Sequence, residues 1–117
     1  MKEDSYRQLE IRWVDLNPTR GAETRKKRPC VIIQCDMVNR QSQTIIVAPL
    51  LPGHKTWPFA VNITPSTGNG LDKERHVNLK QLRAVDISRI DKRQGLLEKR
   101  YLDPLKEALR LVFDLER

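Results

Sequence analysis

The sequence predicts a mainly β chain closed by one helix, folded as a small, strongly bent antiparallel sheet or barrel with the helix packed on it. Three observations predict this. Short β-branched runs recur with turn signals between them, apolar and polar residues alternate within several runs, and only the C-terminal segment carries a helical apolar stripe. At 117 residues the chain has the size of one typical domain, so 1–117 is expected to form a single unit.

Residues 1–8 are polar and read as a loosely ordered lead-in. Leu9, Ile11 and Trp13 then alternate with Glu10, Arg12 and Val14 in the period of a half-buried strand, which stops at Asn17-Pro18. No periodicity survives from Thr19 to Lys27. Cys30-Val31-Ile32-Ile33 is a continuous apolar run suited to a strand covered on both faces, and Pro29 opens it without interrupting it. Asp36 to Gln43 is a polar connector. Thr44 to Ala48 is again β-branched and is the expected central partner of Cys30–Gln34. Pro49 to Pro58 reads as a loop holding Gly53, His54, Lys55 and Trp57. Phe59, Val61 and Ile63 alternate next, and Pro65 to Gly70 is turn-rich, ending in Asn69-Gly70. Val77 and Leu79 mark a further strand that runs on toward Val85, giving five or six strands. Asp103 before Pro104 has the arrangement of an N-cap followed by proline at the first helical position. Leu105, Ala108, Leu109 and Val112 then share one helix face, opposite Lys106, Glu107, Arg110 and Asp114.

The charge is unevenly placed. A net +7 favours an acidic partner such as RNA or DNA, and the loop after the first strand concentrates it: Arg20, Arg25, Lys26, Lys27 and Arg28 stand against the single acid Glu23. Cys30 and Cys35 are five apart in an extended run, which sends them to opposite faces and argues against a disulfide. Without His or Cys neighbours at ligand spacing they read as buried reduced thiols rather than a zinc site. No apolar run approaches the roughly 20 residues that cross a bilayer, and the N-terminus is polar, so a soluble cytoplasmic protein is expected, with no membrane partner.

Several residues carry chemistry by type. Lys55 and Trp57 offer a cation beside a flat ring, the combination that holds unpaired nucleotides, although Trp57 before Pro58 serves equally well as a packing residue. His54 in the same loop is either an acid or base near neutral pH or a solvated loop histidine, whereas His76, between Arg75 and Val77, is expected to face solvent or a dimer partner.

In order, the chain presents Trp13-Val14-Asp15-Leu16-Asn17-Pro18, Gly21-x-Glu23, Arg28-Pro29 and Val31-Ile32-Ile33-Gln34-x-Asp36 with Asn39. Thr44-x-Ile46-Val47-Ala48-Pro49 and Gln81-Leu82-Arg83-x-Val85-Asp86 follow. This series resembles the MazF/PemK toxins, the metal-independent endoribonucleases of type II toxin–antitoxin pairs, over residues 9–115. The resemblance implies an SH3-like antiparallel barrel of the MazF/PemK/CcdB type with a C-terminal helix, a homodimer, and no cofactor or metal. It implies cleavage of single-stranded RNA by attack of the ribose 2′-hydroxyl on the adjacent phosphate, and a cognate antitoxin as the second partner.

Carried over by position, Arg28 matches the family's catalytic arginine and Glu23 its loop glutamate, which orients Arg28, acts on a proton, or simply pairs with a cation. Arg28 itself has the alternative of pinning the loop against Glu23 or Asp36. Arg20, Arg25, Lys26, Lys27, Asn39, Lys55 and Trp57 are the implied RNA-binding residues, with His54 as an acid or base. The chain departs from the pattern at three places. Leu51 stands where many members have a catalytic threonine, Lys80 where some have an acid, and Ala22 where one branch has histidine. Two other readings follow from these departures and from the fold: an RNA- or antitoxin-binding module with weakened catalysis, and a gyrase-poison-type toxin. The second is disfavoured because those relatives end in a tryptophan, whereas this chain ends Phe113-Asp114-Leu115-Glu116-Arg117.

Overall fold

The longest strand organises the sheet. In a computed structural model that describes residues 5–24 and 26–115, Thr44–Pro52 forms β3. Its β-branched start, Thr44 to Val47, pairs with β6 (Arg83–Asp86), and its end, Leu50 to Pro52, pairs with β5 (Arg75–Asn78). Along its other edge, Val47 to Pro49 pair with β2 (Lys27–Ile32). One strand with three antiparallel neighbours must bend, and this bend gives the sheet its barrel-like curvature without closing it. The full order is β4-β5-β3-β2-β1-β7, with β6 on β3; β1 is Glu10–Asp15, β4 Ala60–Ile63 and β7 Ile90–Leu96.

Alternation along β2 and β3 divides the core between the two sheet faces. Val31, Ala48 and Leu50 join Ile11, Ile63, Val77, Leu79 and Leu97 under the closing helix, Leu102–Phe113, here α2, which inserts Leu105 and Ala108. Cys30, Ile32, Ile45 and Val47 join Val14, Leu16 and Val85 in a second cluster. Burying a side chain of this size is worth about 1.5–3 kcal/mol, so these two clusters hold the sheet's curvature.

The fold class agrees with the expectation from sequence, and several details differ. There are seven strands among the described residues rather than five or six. The strand expected to run from Val77 toward Val85 is broken by a 3₁₀ turn at Leu79–Gln81, capped by Asn78, whose side chain accepts from the Lys80 amide. The polar connector contains a short helix, Asp36–Asn39, here α1. α2 begins one residue before Asp103, out of a 3₁₀ turn at Lys99–Tyr101, so Asp103 lies in its first turn instead of capping it. Residues 1–4 of the expected lead-in lie outside the described residues. The rest of it is tied down: Gln8 donates its amide to Asp36 Oδ1 at 2.7 Å and its side chain to the Ile33 carbonyl at 2.8 Å. No helix among the described residues is long and apolar enough to cross a membrane.

Candidate functional site

A groove of about 790 Å³ opens where the end of β1, the middle of β3 and the turn between β5 and β6 converge. Leu16, Val47 and Pro49 provide apolar lining, Ala22, Glu23 and Thr24 come from the β1–β2 loop, and Trp57 and Phe59 come from the loop before β4. Asn78, Lys80, Gln81 and Arg83 complete it. Glu23 is the single carboxylate among these lining residues, against the cations Lys80 and Arg83.

The β1–β2 loop is shaped by its own side chains. The Arg20 amide donates to Glu23 Oε1 at 2.7 Å and the Glu23 amide to the Arg20 carbonyl at 3.0 Å, closing a tight turn around Gly21, whose φ of +53° suits glycine. At the loop's base, Asn17 Oδ1 accepts from the Lys26 amide at 3.1 Å, and Arg83 Nη1 donates to the Leu16 carbonyl at 3.0 Å. Arg89 Nη1 donates to the carbonyls of Asp15 and Asn17. The tip is fastened from across the groove: Gln81 Oε1 accepts from the Thr24 amide at 2.7 Å, and Gln81 Nε2 donates to the Ala22 carbonyl at 3.4 Å.

Arg28 is the second residue of β2, half-buried, on the face that also carries Cys30 and Ile32. The buried Cys30 thiol registers both Arg83 and Arg28. Burial pushes its pKa up to about 12 while first Arg83 and then Arg28 pull it down. Arg83 lines the groove, whereas Arg28 is not among its lining residues. Arg83 was part of the quoted Gln81-Leu82-Arg83 motif but was given no role there; its position is legible only in three dimensions.

The opposite wall is a cation-flanked aromatic pair. The Trp57 and Phe59 rings stack with centroids 5.2 Å apart and planes inclined by 21°. Lys55 Nζ stands 5.0 Å from the Trp57 centroid and Lys80 Nζ 4.9 Å from that of Phe59. Asn62 fixes the backbone of Lys55 on both sides, accepting from its amide at 2.9 Å and donating to its carbonyl at 2.8 Å. Trp57 remains 42% exposed, which separates it from a core packing residue.

The other residues singled out from sequence fall elsewhere. Arg20, Lys26 and Lys27 are exposed around the loop and do not line the groove, with Lys27 Nζ 3.7 Å from Asp91 Oδ2. Arg25 lies outside the described residues. His54 is exposed in its loop. Asn39 is a correction. It is 5% exposed, and its Nδ2 donates to the carbonyls of Tyr6 at 3.1 Å and Gln34 at 2.9 Å, so it braces α1 against the N-terminal segment rather than reaching the groove. His76, expected at the surface, is 2% exposed because the Trp57 loop folds over it. Of the two cysteines expected to be buried, Cys35 is exposed at the start of α1, where the strand has already ended. No group of three or more His, Cys, Asp or Glu that could hold a metal ion occurs among the described residues.

Comparison with known proteins gives consistent matches. The profile of PemK-like, MazF-like toxins of type II toxin–antitoxin systems matches residues 7–113. Endoribonuclease MazF9 of Mycobacterium tuberculosis is 32% identical, the match covering 93% of this chain and 97% of the relative. Endoribonuclease EndoA of Bacillus subtilis is 27% identical, over 91% of this chain and 92% of the relative. Among solved structures, MazF from Deinococcus radiodurans superposes with a TM-score of 0.82 at 18% identity, covering 97% of this chain and all 100% of that one. A mycobacterial endoribonuclease in complex with its cognate antitoxin gives 0.80 at 17% identity, covering 97% and 99% of the two chains. At these identities the structural likeness speaks for the fold.

Proposed function

The chain belongs to the family of PemK-like, MazF-like toxins of type II toxin–antitoxin systems, and from that premise we propose that it is a cytoplasmic endoribonuclease cutting single-stranded RNA without a metal ion. Its curated relatives are endoribonucleases. The observation that carries the reading is the groove, whose lining brings together one carboxylate, the cations Lys80 and Arg83, and a partly exposed aromatic pair.

The reaction needs a proton removed from a ribose 2′-hydroxyl, a proton delivered to the departing 5′-oxygen, and cations for the charge that develops on phosphorus-bound oxygens. The 2′-oxygen forms a bond to phosphorus as the bond to the 5′-oxygen breaks, leaving a 2′,3′-cyclic phosphate and a free 5′-hydroxyl. Arg28 and Arg83 supply the cations. A guanidinium donates two parallel hydrogen bonds to a phosphate and does not deprotonate, so it serves the transition state better than an ammonium. Glu23, the carboxylate in the groove lining, takes the 2′-hydroxyl proton. Lys55, Lys80 and the Trp57–Phe59 pair hold the flanking strand by charge and stacking. Leu51, half-buried on β3, brings no proton donor, so the leaving oxygen takes its proton from solvent.

A cognate antitoxin is the second partner, since structural neighbours include a toxin with its cognate antitoxin and a MazE–MazF pair. An acidic extended segment of such a partner would compete with RNA for the same cations. The chain acts as a homodimer.

The test is incubation of purified protein with a long single-stranded RNA in EDTA, beside Arg28→Ala, followed by mapping of the ends. Cuts at defined sites with cyclic phosphate ends, lost in Arg28→Ala, are expected. RNA left intact by both proteins would overturn the nuclease reading and leave binding without cleavage.

A further inference from the structure

His76 has no part in that chemistry, yet its surroundings are unusual. The side chain is buried at 2% exposure on β5, and its Nδ1 stands 3.0 Å from the Gly53 carbonyl oxygen. That carbonyl can only accept, so Nδ1 donates to it. Nε2 is buried and has no hydrogen-bond partner among the described residues.

The imidazole's other contacts say what it does. Gly53, at a φ of +84°, is the turn from which the chain leaves β3, and its own amide donates to the Glu74 carbonyl at 3.1 Å. The far side of the ring meets Trp57, with planes at 90° and centroids 5.9 Å apart. One side chain thus touches both the root of the 53–59 loop and its aromatic tip. In register, His76 lies opposite Leu51 of β3 and Asn62 of β4, the residue that clamps Lys55. Asn78, two residues on and on the same face, lines the groove.

We propose that His76 is a positioning residue that holds Trp57 upright as the platform on which an unpaired nucleobase stacks, next to the scissile phosphodiester. This rests on the reading of the groove as an RNA site and deepens it. The hydrogen bond to Gly53 fixes the loop's root, and the edge-to-face contact fixes the indole's tilt, so that stacking does not have to immobilise the ring at the moment of binding.

Two substitutions separate the contacts. His76→Asn keeps a donor for the Gly53 carbonyl and removes the ring beneath Trp57, whereas His76→Phe keeps a ring and removes the donor. Each is made alone and in a Trp57→Ala background. Binding is read by anisotropy with a labelled, mixed-sequence single-stranded deoxyoligonucleotide, which lacks the attacking 2′-hydroxyl, and kcat and KM are read on RNA. Both variants are expected to weaken binding roughly five-fold and to raise KM with kcat nearly unchanged, and to have no further effect once Trp57 is alanine. Equal weakening with and without Trp57, or a change in melting temperature with binding intact, would overturn the proposal. If the wild-type chain binds the oligonucleotide but cuts no RNA, the nuclease reading fails while the coupling between His76 and Trp57 is still measured.

Discussion

Gln81 accepts a hydrogen bond from the Thr24 amide at 2.7 Å, joining residues 57 apart in sequence across the mouth of the groove. Its own amide donates to the Ala22 carbonyl, so one side chain satisfies backbone groups on both sides of Glu23. The loop is therefore not held by its internal turn alone. It is latched to the 3₁₀ turn that also carries Lys80.

Gln81→Ala should release the latch. A side-chain to backbone bond of this kind contributes about 1 kcal/mol net, so the folded chain survives while the loop opens several-fold more often. Hydrogen exchange should show the Thr24 amide losing protection, with β3 amides unchanged, and KM for RNA should rise more than kcat falls. An unchanged exchange rate at Thr24 would mean the loop is held by other contacts.

Arg28 and Arg83 should differ in how they fail. Arg28→Lys keeps the charge and loses the planar fork, and a fall in kcat on the order of 10²–10³ is expected if the fork faces the transition state. Arg83→Ala removes a cation and also the bond to the Leu16 carbonyl, so it should lower kcat and loosen the loop base together. Lys80→Ala should leave kcat nearly unaltered. It should reduce the slope of log binding constant against log salt by about 0.7, the value for one phosphate contact on a single strand.

The parts legible in sequence are those whose signal is local. The runs at Cys30–Ile33 and Thr44–Ala48 announce central strands because residues buried on both faces must be apolar along their whole length. β7 was invisible for the opposite reason. Its middle, Asp91 to Arg93, is exposed and charged and breaks any apolar run, and the strand is held by edge pairing to β1 through two register shifts. Gly95 within it is required by tertiary packing alone, since a Cβ there would come within 2.5 Å of the Asn69 carbonyl oxygen. Arg28 and Glu23 could be singled out because motif spacing carries them. His76 could not, because its burial is created by a loop folding back over it, and neither charge pattern nor periodicity encodes that. Lys80 reads in sequence as a missing acid; in space it is an ammonium seated over the Phe59 ring.

Glu98 gives a prediction for acid pH. The Ser66 hydroxyl donates to Glu98 Oε2, and this bond is the main reason its carboxyl lies below the ordinary value of 4.5; Asn69 and Arg100 act in the same direction against the opposing effect of burial. A group whose pKa is lower folded than unfolded stabilises the fold above its unfolded value, and the contribution fades as pH falls through the folded one. Melting temperatures of wild type and Glu98→Gln should therefore differ most above the ordinary value of 4.5 and converge as pH falls below it. A gap that persists in acid would assign the effect to packing. Ser66 and the wholly buried Asn69, the latter bonded to Glu98 at 3.2 Å, both carry the change into the 66–70 turn.

The two cysteines should react in opposite ways, and the reason tests the electrostatics beside Arg28 and Arg83. Arg83 and Arg28 both favour a Cys30 thiolate, yet burial outweighs them and the thiol stays protonated up to about pH 12. The thiolate is the nucleophile in alkylation, so proximity to two arginines does not make Cys30 reactive. Cys35 is exposed and open to reagent. Iodoacetamide at neutral to mildly alkaline pH should label Cys35 alone in the folded chain and both residues in guanidinium, with peptide mapping to assign the sites. The same shift has a sign in stability. The unfolded thiol ionises near 9.0 and the folded one about three units higher, so the contribution is complete below pH 9 and is lost as pH rises from there toward 12. Cys30→Ala should accordingly be less stable than wild type at pH 7, with the difference narrowing through the alkaline range. Rapid labelling of Cys30 in the native chain would show that the guanidinium groups, rather than burial, govern this corner of the fold, and would place a reactive thiol beside the groove.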